Sequence, residues 1–277
     1  AVSLRRVHIR GELSLHWYGG WTSGGFMSDC IIDGRVVPGS QQQWFSRNSK
    51  WAQWANGVWN MVFAGCVNAP APSYPDPPYT VINQTPISRE KPFLYLDGSE
   101  FKVFVPNIRL NSVGVSWENG VPAGQSLSMS QFVIAHPETF KVDTLNQALS
   151  QGKHIMFTPG IYRVDKPLMV TNPNTIIMGL GLATLTPTNG NACMKIADVS
   201  GVIVTGLLFD AGAINSPVLL EVGPEGSSAN HSSNPTFLSD LYFRVGGAAV
   251  GRADVCIIIN SNHVVGDNFW VWRADHG

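Results

Sequence analysis

Charge is what this chain has least of. Only 13% of its 277 residues are Asp, Glu, Lys or Arg, and the formal net charge is −1. Nucleic acids and anionic membrane surfaces are bound through a basic face, so neither is expected as a partner. Long apolar runs are missing as well, and none reaches the roughly eighteen residues that a membrane-crossing helix needs. The four cysteines, Cys30, Cys66, Cys193 and Cys256, are too few for a disulfide scaffold. They show neither CxxC nor Cys/His ligand spacing, so no metal is expected. Each follows or opens an apolar strand. Buried free thiols are the simplest expectation, with a Cys30–Cys66 pair open if neighbouring coils stack them. No initiator Met and no signal-peptide pattern stand at Ala1-Val2-Ser3, as in a processed or truncated chain. GxSxG, HExxH, P-loop and Rossmann fingerprints are absent, no cofactor is expected, and His8, His16, His154, His231 and His263 have no partner in any readable triad.

What is present is 28 Gly, 9 Trp and many Asn, Ser and Thr. Such a composition is typical of secreted, extracellular proteins that handle neutral polymers. Asn83-Gln84-Thr85 and Asn230-His231-Ser232 are acceptor sequons for glycosylation in a eukaryotic host.

The pattern along the chain is one of short strands. Residues 1–72 read as Leu4–Ile9, Glu12–Trp17, Phe26–Ile32, Arg35–Val37, Gln43–Phe45 and Val58–Phe63, separated by Gly, Asn, Ser or Pro. Pro70–Pro78 has five prolines in nine residues, cannot carry ladder hydrogen bonds throughout and reads as a linker on a surface. A hairpin is expected around Asp97-Gly98. Asp143–Gln151 is the strong helix signal, with Asp143 or Thr144 as its cap and Gly152 as its end. A dense series of strands follows from His154 onward, joined by tight corners. The last of them are Cys256–Ile259, Val264–Val265 and Phe269–Trp272. This suits an all-β parallel β-helix better than a sandwich of hairpins. A weak repeat supports it: Gly206-Leu207-Leu208-Phe209-Asp210, Asp240-Leu241-Tyr242-Phe243-Arg244 and Asn268-Phe269-Trp270-Val271-Trp272 share one apolar pattern at spacings of 34 and 28 residues.

Leu145–Leu185 resembles the opening of the pectate-lyase-like β-helices, in which a short capping helix, a strand, a Pro-Gly turn and a Tyr-containing strand follow one another. More specific are Ser23-Gly24-Gly25-Phe26-Met27-Ser28-Asp29, the run from Gly39 to Asn48, Asn56 to Phe63, Pro86 to Tyr95, Leu219 to Gly223, and Trp270-Val271-Trp272-Arg273-Ala274-Asp275-His276-Gly277. Together these resemble glycoside hydrolase family 55, the exo-acting β-1,3-glucanases. The resemblance implies two tandem right-handed β-helices with an active site in the cleft between them. By it, 1–72 are the C-terminal coils of the first helix, 73–135 the connection, and 136–277 the N-terminal coils of the second.

The resemblance further implies inverting hydrolysis of β-1,3-glucan with release of glucose. It places the general acid beyond Gly277, so a second chain or segment completing the β-helices is expected alongside the polysaccharide substrate. It makes Asp275 the site carboxylate that contacts sugar hydroxyls or supports the acid, and Gln42 and Gln43 the amides that hold the nucleophilic water. Trp272, Arg273 and His276 are the expected substrate contacts. The structural alternatives are an Arg273–Asp275 salt bridge for Asp275, a ladder of stacked glutamines for Gln42 and Gln43, and core packing for Trp272. Core packing is assigned to Trp270, taken to point the opposite way along the extended strand. Asp210 and Glu221 are read as structural corner residues that could line the cleft, and Glu90 and Arg89 as an ion pair with the neighbouring helix. Other β-helix hydrolases or lyases, such as an α-1,3-glucanase, and a non-catalytic glucan-binding β-helix are the rival readings. A lyase acting on uronates needs a basic groove or calcium-binding acids, and Lys and Arg are sparse near the expected site.

Overall fold

The structure, a computed structural model, describes residues 2–275. They form two compact units, one of residues 2–90 and 106–125, the other of 91–105 and 126–275.

In the first unit, Val2–Arg5, Gly25–Ser28, Gln43–Arg47, Asn60–Ala64 and Tyr79–Ile82 stack in that order, each parallel to the last. A second stack sets His8–Ile9, Leu13–Ser14 and Lys50–Trp54 in parallel against Ile31–Val37. Short strands rich in aromatic and β-branched residues, each ended by Gly, Asn or Pro, can turn only at corners, so they coil. The space inside is filled by Met27, Trp44, Trp51, Trp54, Met61, Phe63 and Tyr79. The proline-rich stretch is an exposed loop between two rungs of this stack. Tyr79–Ile82 adds a rung beyond residue 72, where the sequence reading closes the first helix.

The same unit buries an unusual amount of charge. Glu90 is 2% exposed and takes hydrogen bonds from Arg47 Nη1 at 2.6 Å and Ser28 Oγ at 3.2 Å, with Arg5 at 3.6 Å. Arg89 donates to the carbonyl of Pro106 at 2.8 Å. Asp29 accepts from the amide and hydroxyl of Ser116 at 2.5 and 2.8 Å and lies 3.6 Å from Arg6.

In the second unit, Phe132–Ala135, His154–Phe157, Ile176–Pro187, Ile203–Asp210, Thr236–Val245 and Val264–Arg273 form one parallel sheet in chain order. Leu168–Val170, Met194–Ile196, Ser216–Val222 and Ala253–Ile259 form a second. Inward residues stack from rung to rung: Leu185 on Phe209 on Phe243, and Ala183 on Leu207 on Leu241 on Phe269. The rings of Phe209 and Phe243 are 4.9 Å apart and 10° from parallel. This is the parallel β-helix expected from the sequence.

The weak repeat has a conformational cause. Its first residues, Gly206, Asp240 and Asn268, are in register, and all three have positive φ, at 70°, 52° and 59°. Gly, Asp and Asn are the residues that enter the left-handed region most easily. Each coil therefore bends at the same point of its long strand. Val264–Val265 and Phe269–Trp272, read separately from sequence, are one strand bent at Asn268. Asp240 joins rungs by accepting from Asn268 Nδ2 at 2.8 Å and from Lys91 Nζ at 2.6 Å.

The helix spans Val142–Ser150, one residue earlier than its sequence limits, with Lys141 rather than Asp143 or Thr144 at the N-cap. Val142, Leu145, Ala148 and Leu149 are its buried face, and Asp143 is drawn instead to Lys166 at 2.7 Å. The expected hairpin is present, with Phe93–Asp97 antiparallel to Glu100–Pro106. Val103 and Val105 at its base pack with Phe132, Met156, Ile176 and Met178.

All four cysteines are free. Burial pushes the Cys30 thiol up to about 11 and the Cys66 thiol up to about 12.

Candidate functional site

The outward face of the long sheet in the second unit carries the most conspicuous group of binding side chains. Residues two apart on a strand share a face. With Leu241 and Phe243 buried inside, Tyr242 and Arg244 point outward, and the parallel register sets Trp270 beside Tyr242 and Trp272 beside Arg244. Trp270 and Trp272 are therefore neighbours on one face. Their rings lie 5.6 Å apart and 17° from parallel, and they are 43% and 37% exposed. This corrects the assignment of Trp270 to the core: the strand period of two sends it the same way as Trp272.

The surroundings hold the pair in place. Arg244 is fixed by a two-point contact with Asp210, from Nε at 2.8 Å and Nη2 at 2.6 Å. Asp210 thus has the structural role expected of it. Glu221 also sits in an ion pair, 2.8 Å from Lys195 on the adjacent rung. On the far side of Trp272 a glycine is required: a Cβ at Gly247 would stand 3.0 and 3.1 Å from the indole ring, and its φ is +103°. A planar apolar platform edged by a fixed guanidinium is suited to a pyranose, whose faces are apolar and whose rim is hydroxylated.

The remaining expected residues divide. Arg273 turns to the main chain and donates to the carbonyl of Ala253 at 2.5 Å, and among the described residues no ion pair joins it to Asp275. Asp275 is exposed just past the strand, after Ala274 continues the ladder to Val245 at 2.9 Å. His276 lies outside the described residues. Gln42 and Gln43 belong to the first unit. Gln43 is exposed and pairs with Asn60, while the carbonyl of Gln42 accepts from the amide of Trp59 at 2.9 Å.

Two features escaped the sequence reading. Gln41, next to the expected pair, is the buried glutamine, and its amide accepts from Gly24 N at 2.6 Å and donates to Leu15 O at 3.0 Å. Asp198 gathers the amides of Ser228 and Ala229 at 3.1 and 3.0 Å, His231 at 2.9 Å and Ser261 Oγ at 2.8 Å. The backbone amide of Ala229 and the His231 ring hold its carboxyl down to about 2. His231 thus has an acidic partner, as His8 has in Asp33 at 2.8 Å. The Ser261 hydroxyl bonds the carboxylate, and the cluster is a clamp on the loop between Gly223 and Thr236.

Residues 132–277 match the family model of the LAM55 pectate lyase-like domain. The chain is 52% identical, over 278 aligned positions, to an exo-beta-1,3-glucanase of Streptomyces sp. (strain SirexAA-E / ActE), covering 100% of this chain and 46% of that protein. The structure of sacteLam55A from Streptomyces sp. SirexAA-E superposes with a TM-score of 0.97 at 52% identity, over 99% of this chain and 50% of that one. An ensemble refinement of a variant of that protein in complex with glucose matches equally well. The chain spans about half the length of these relatives. Parallel coils, a helix at the head of the second stack and a family match over more than half the sequence agree, and the chain belongs to the LAM55 pectate lyase-like family.

Proposed function

We propose that the protein containing this chain is a glycoside hydrolase that removes glucose from the ends of laminarin-type β-1,3-glucan with inversion. The observation that carries this reading is the 52% identity along the whole chain to an exo-beta-1,3-glucanase. A glucose complex in a structural relative supports a glucosyl ligand. In an inverting reaction a protonated carboxyl serves the leaving oxygen, and a second group activates water on the opposite face, about 6.5–9.5 Å away. Trp272 and Trp270 stack the sugar, Asp275 and His276 contact its hydroxyls, and Arg273, anchored on Ala253, braces the strand end. Gln42 and Gln43, in the first unit, are amides of the kind that can orient a water without ionising. The general acid is carried by the part of the protein outside this chain, and that part completes the coils. The protein acts extracellularly, and Asn83 and Asn230, both exposed, accept glycans if the host attaches them.

The test is incubation of the whole protein with laminarin, followed by proton NMR of the product anomers. Early release of α-glucose is the expected outcome. β-Glucose would rule out inversion, and internal cleavage to mixed oligomers would rule out exo-action.

A further inference from the structure

Beside the paired indoles of the second unit runs an outward column whose chemistry the stacking of a sugar does not use. Phe209 and Phe243 stack inside the coil, and their chain neighbours Asp210 and Arg244 face outward in register. The core thus sets these two outward side chains side by side. Arg244 meets the carboxylate edge-on, with Nε donating to one oxygen at 2.8 Å and Nη2 to the other at 2.6 Å. A guanidinium is planar and has five N–H donors, so this contact fixes its plane, occupies two donors and leaves three. Among the described residues no other group accepts from Arg244. Nη1, with both of its N–H groups, is at the end of the fork that Asp210 does not reach. The next rung sets Trp272 beside Arg244, so Asp210, Arg244 and Trp272 are consecutive on three rungs.

Stability does not account for this arrangement. The two side chains are 35% and 21% exposed, and an ion pair so open to water adds little to folding. The neighbouring outward column manages without charge, with Leu208 beside Tyr242 beside Trp270. A cross-rung pair on the other sheet, Lys195 with Glu221, uses an ammonium, which holds no plane. An arginine held in plane by a carboxylate suits fixed recognition of an oxygen acceptor. Asp210 also holds the guanidinium above its already high ordinary pKa, so the group acts only as a donor. Its charge is balanced by Asp210. The free N–H groups therefore suit a neutral acceptor, such as a sugar hydroxyl, rather than a carboxylate or a phosphate.

We infer that Arg244 is a specificity-determining residue of the glucan site: its free N–H groups donate to a hydroxyl of the sugar stacked beside Trp272, and Asp210 is the positioning residue that aims them. This rests on the glucan reading above and adds to it the group that reads the rim of the sugar. An indole accepts any pyranose with a flat apolar face, whereas a fixed donor selects one with an oxygen at the right position.

The experiment titrates the whole protein calorimetrically with a sulfur-linked laminaribiose, which resists hydrolysis, and with its monodeoxy analogues. The wild-type protein is expected to bind the parent sugar about tenfold more tightly than the analogue lacking the hydroxyl that Arg244 reads, as for one charge-assisted hydrogen bond. Arg244→Met is expected to bind the parent and that analogue alike, and to keep wild-type discrimination at every other position. Asp210→Asn should lose part of the same discrimination and none of the rest. If wild type and Arg244→Met discriminate among the analogues identically, the inference is overturned. This holds even when the variant binds every sugar more weakly, because Arg244 would then only prop Trp272. A wild-type protein that binds none of the sugars overturns it as well. Laminarin hydrolysis tests the reaction separately. If no glucose is released while the titrations behave as expected, the function proposed above falls and the assignment of Arg244 stands.

Discussion

Glu90 offers the sharpest test of how the first unit is held together. Its carboxylate is 2.6 Å from Arg47 and 3.6 Å from Arg5, and the three side chains are 2%, 6% and 8% exposed. At an effective dielectric of about 20, those distances correspond to attractions of roughly 6 and 5 kcal/mol. Desolvation offsets most of this, so the cluster as a whole adds little net stability. Removing one partner is different. Glu90→Gln keeps the shape but removes the negative charge that the buried Arg47 and Arg5 face, a loss of about 3–5 kcal/mol. For a body of this size that lowers the melting temperature by roughly 6–20 °C. Tryptophan fluorescence reads it directly, since Trp44, Trp51 and Trp54 lie in the same unit's core. Burial pushes the Glu90 carboxyl up, but Arg47, Arg5 and Arg6 more than offset it and hold it below its ordinary value. A depressed carboxyl stabilises fully above its unfolded pKa of about 4.3 and loses that contribution as pH falls through the folded value. The gap between wild type and variant should therefore be widest near neutrality and close below about pH 4. The triple variant Arg5→Met/Arg47→Met/Glu90→Leu, which removes all three charges together, should recover much of the loss. A Glu90→Gln protein melting within 2 °C of wild type at pH 7 would refute the reasoning.

Trp270→Ala and Trp272→Ala should each raise the laminarin KM by about 3–10-fold, equivalent to 0.5–1.5 kcal/mol per aromatic contact, with melting temperature little changed. A large stability loss for Trp270→Ala would return that residue to the core. Asp198, held down to about 2, stabilises its loop fully above its unfolded pKa of about 4 and loses this as pH falls toward 2. Asp198→Asn should accordingly speed hydrogen exchange at Ser228 and Ala229 at neutral pH, and unchanged exchange would show that the clamp is idle. Cys30, Cys66 and Cys193, whose thiols burial pushes well up, should resist a disulfide reagent at pH 8 until the protein unfolds. Rapid labelling of any of the three in the folded protein would contradict their placement.

Much of the architecture was legible because it is written in local rules. Strands too short to be helices, corners rich in Gly and Asn, and one amphipathic helix ending at Gly152 specify coils without any long-range information. The repeat at Gly206, Asp240 and Asn268 was visible for the same reason, since a left-handed corner admits few residue types. The site was less legible because coiling separates sequence distance from spatial distance. Asp198 meets His231 and Ser261 across 33 and 63 residues, and rungs spaced by 34 and then 28 residues leave no period from which to infer such meetings. Three consecutive glutamines look alike in sequence. Only the stacking of Leu15 and Gly24 on Gln41 makes one of them a buried clamp and leaves Gln43 exposed. Trp270 was a failure of a different kind, because the rule that residues two apart share a face was available, and applying it would have paired the two indoles. The hairpin of Phe93–Asp97 and Glu100–Pro106 was read where it stands, but what it packs on was not: Val103 and Val105 meet Phe132, Met156, Ile176 and Met178, on strands that come later in the chain. Local pattern thus tells which way a side chain faces, and only the stacking of coils tells what it faces. A site built from residues on several rungs becomes readable once their register is known, which is why the Trp270–Trp272 face emerged from pairing with Tyr242 and Arg244 rather than from the aromatic run alone.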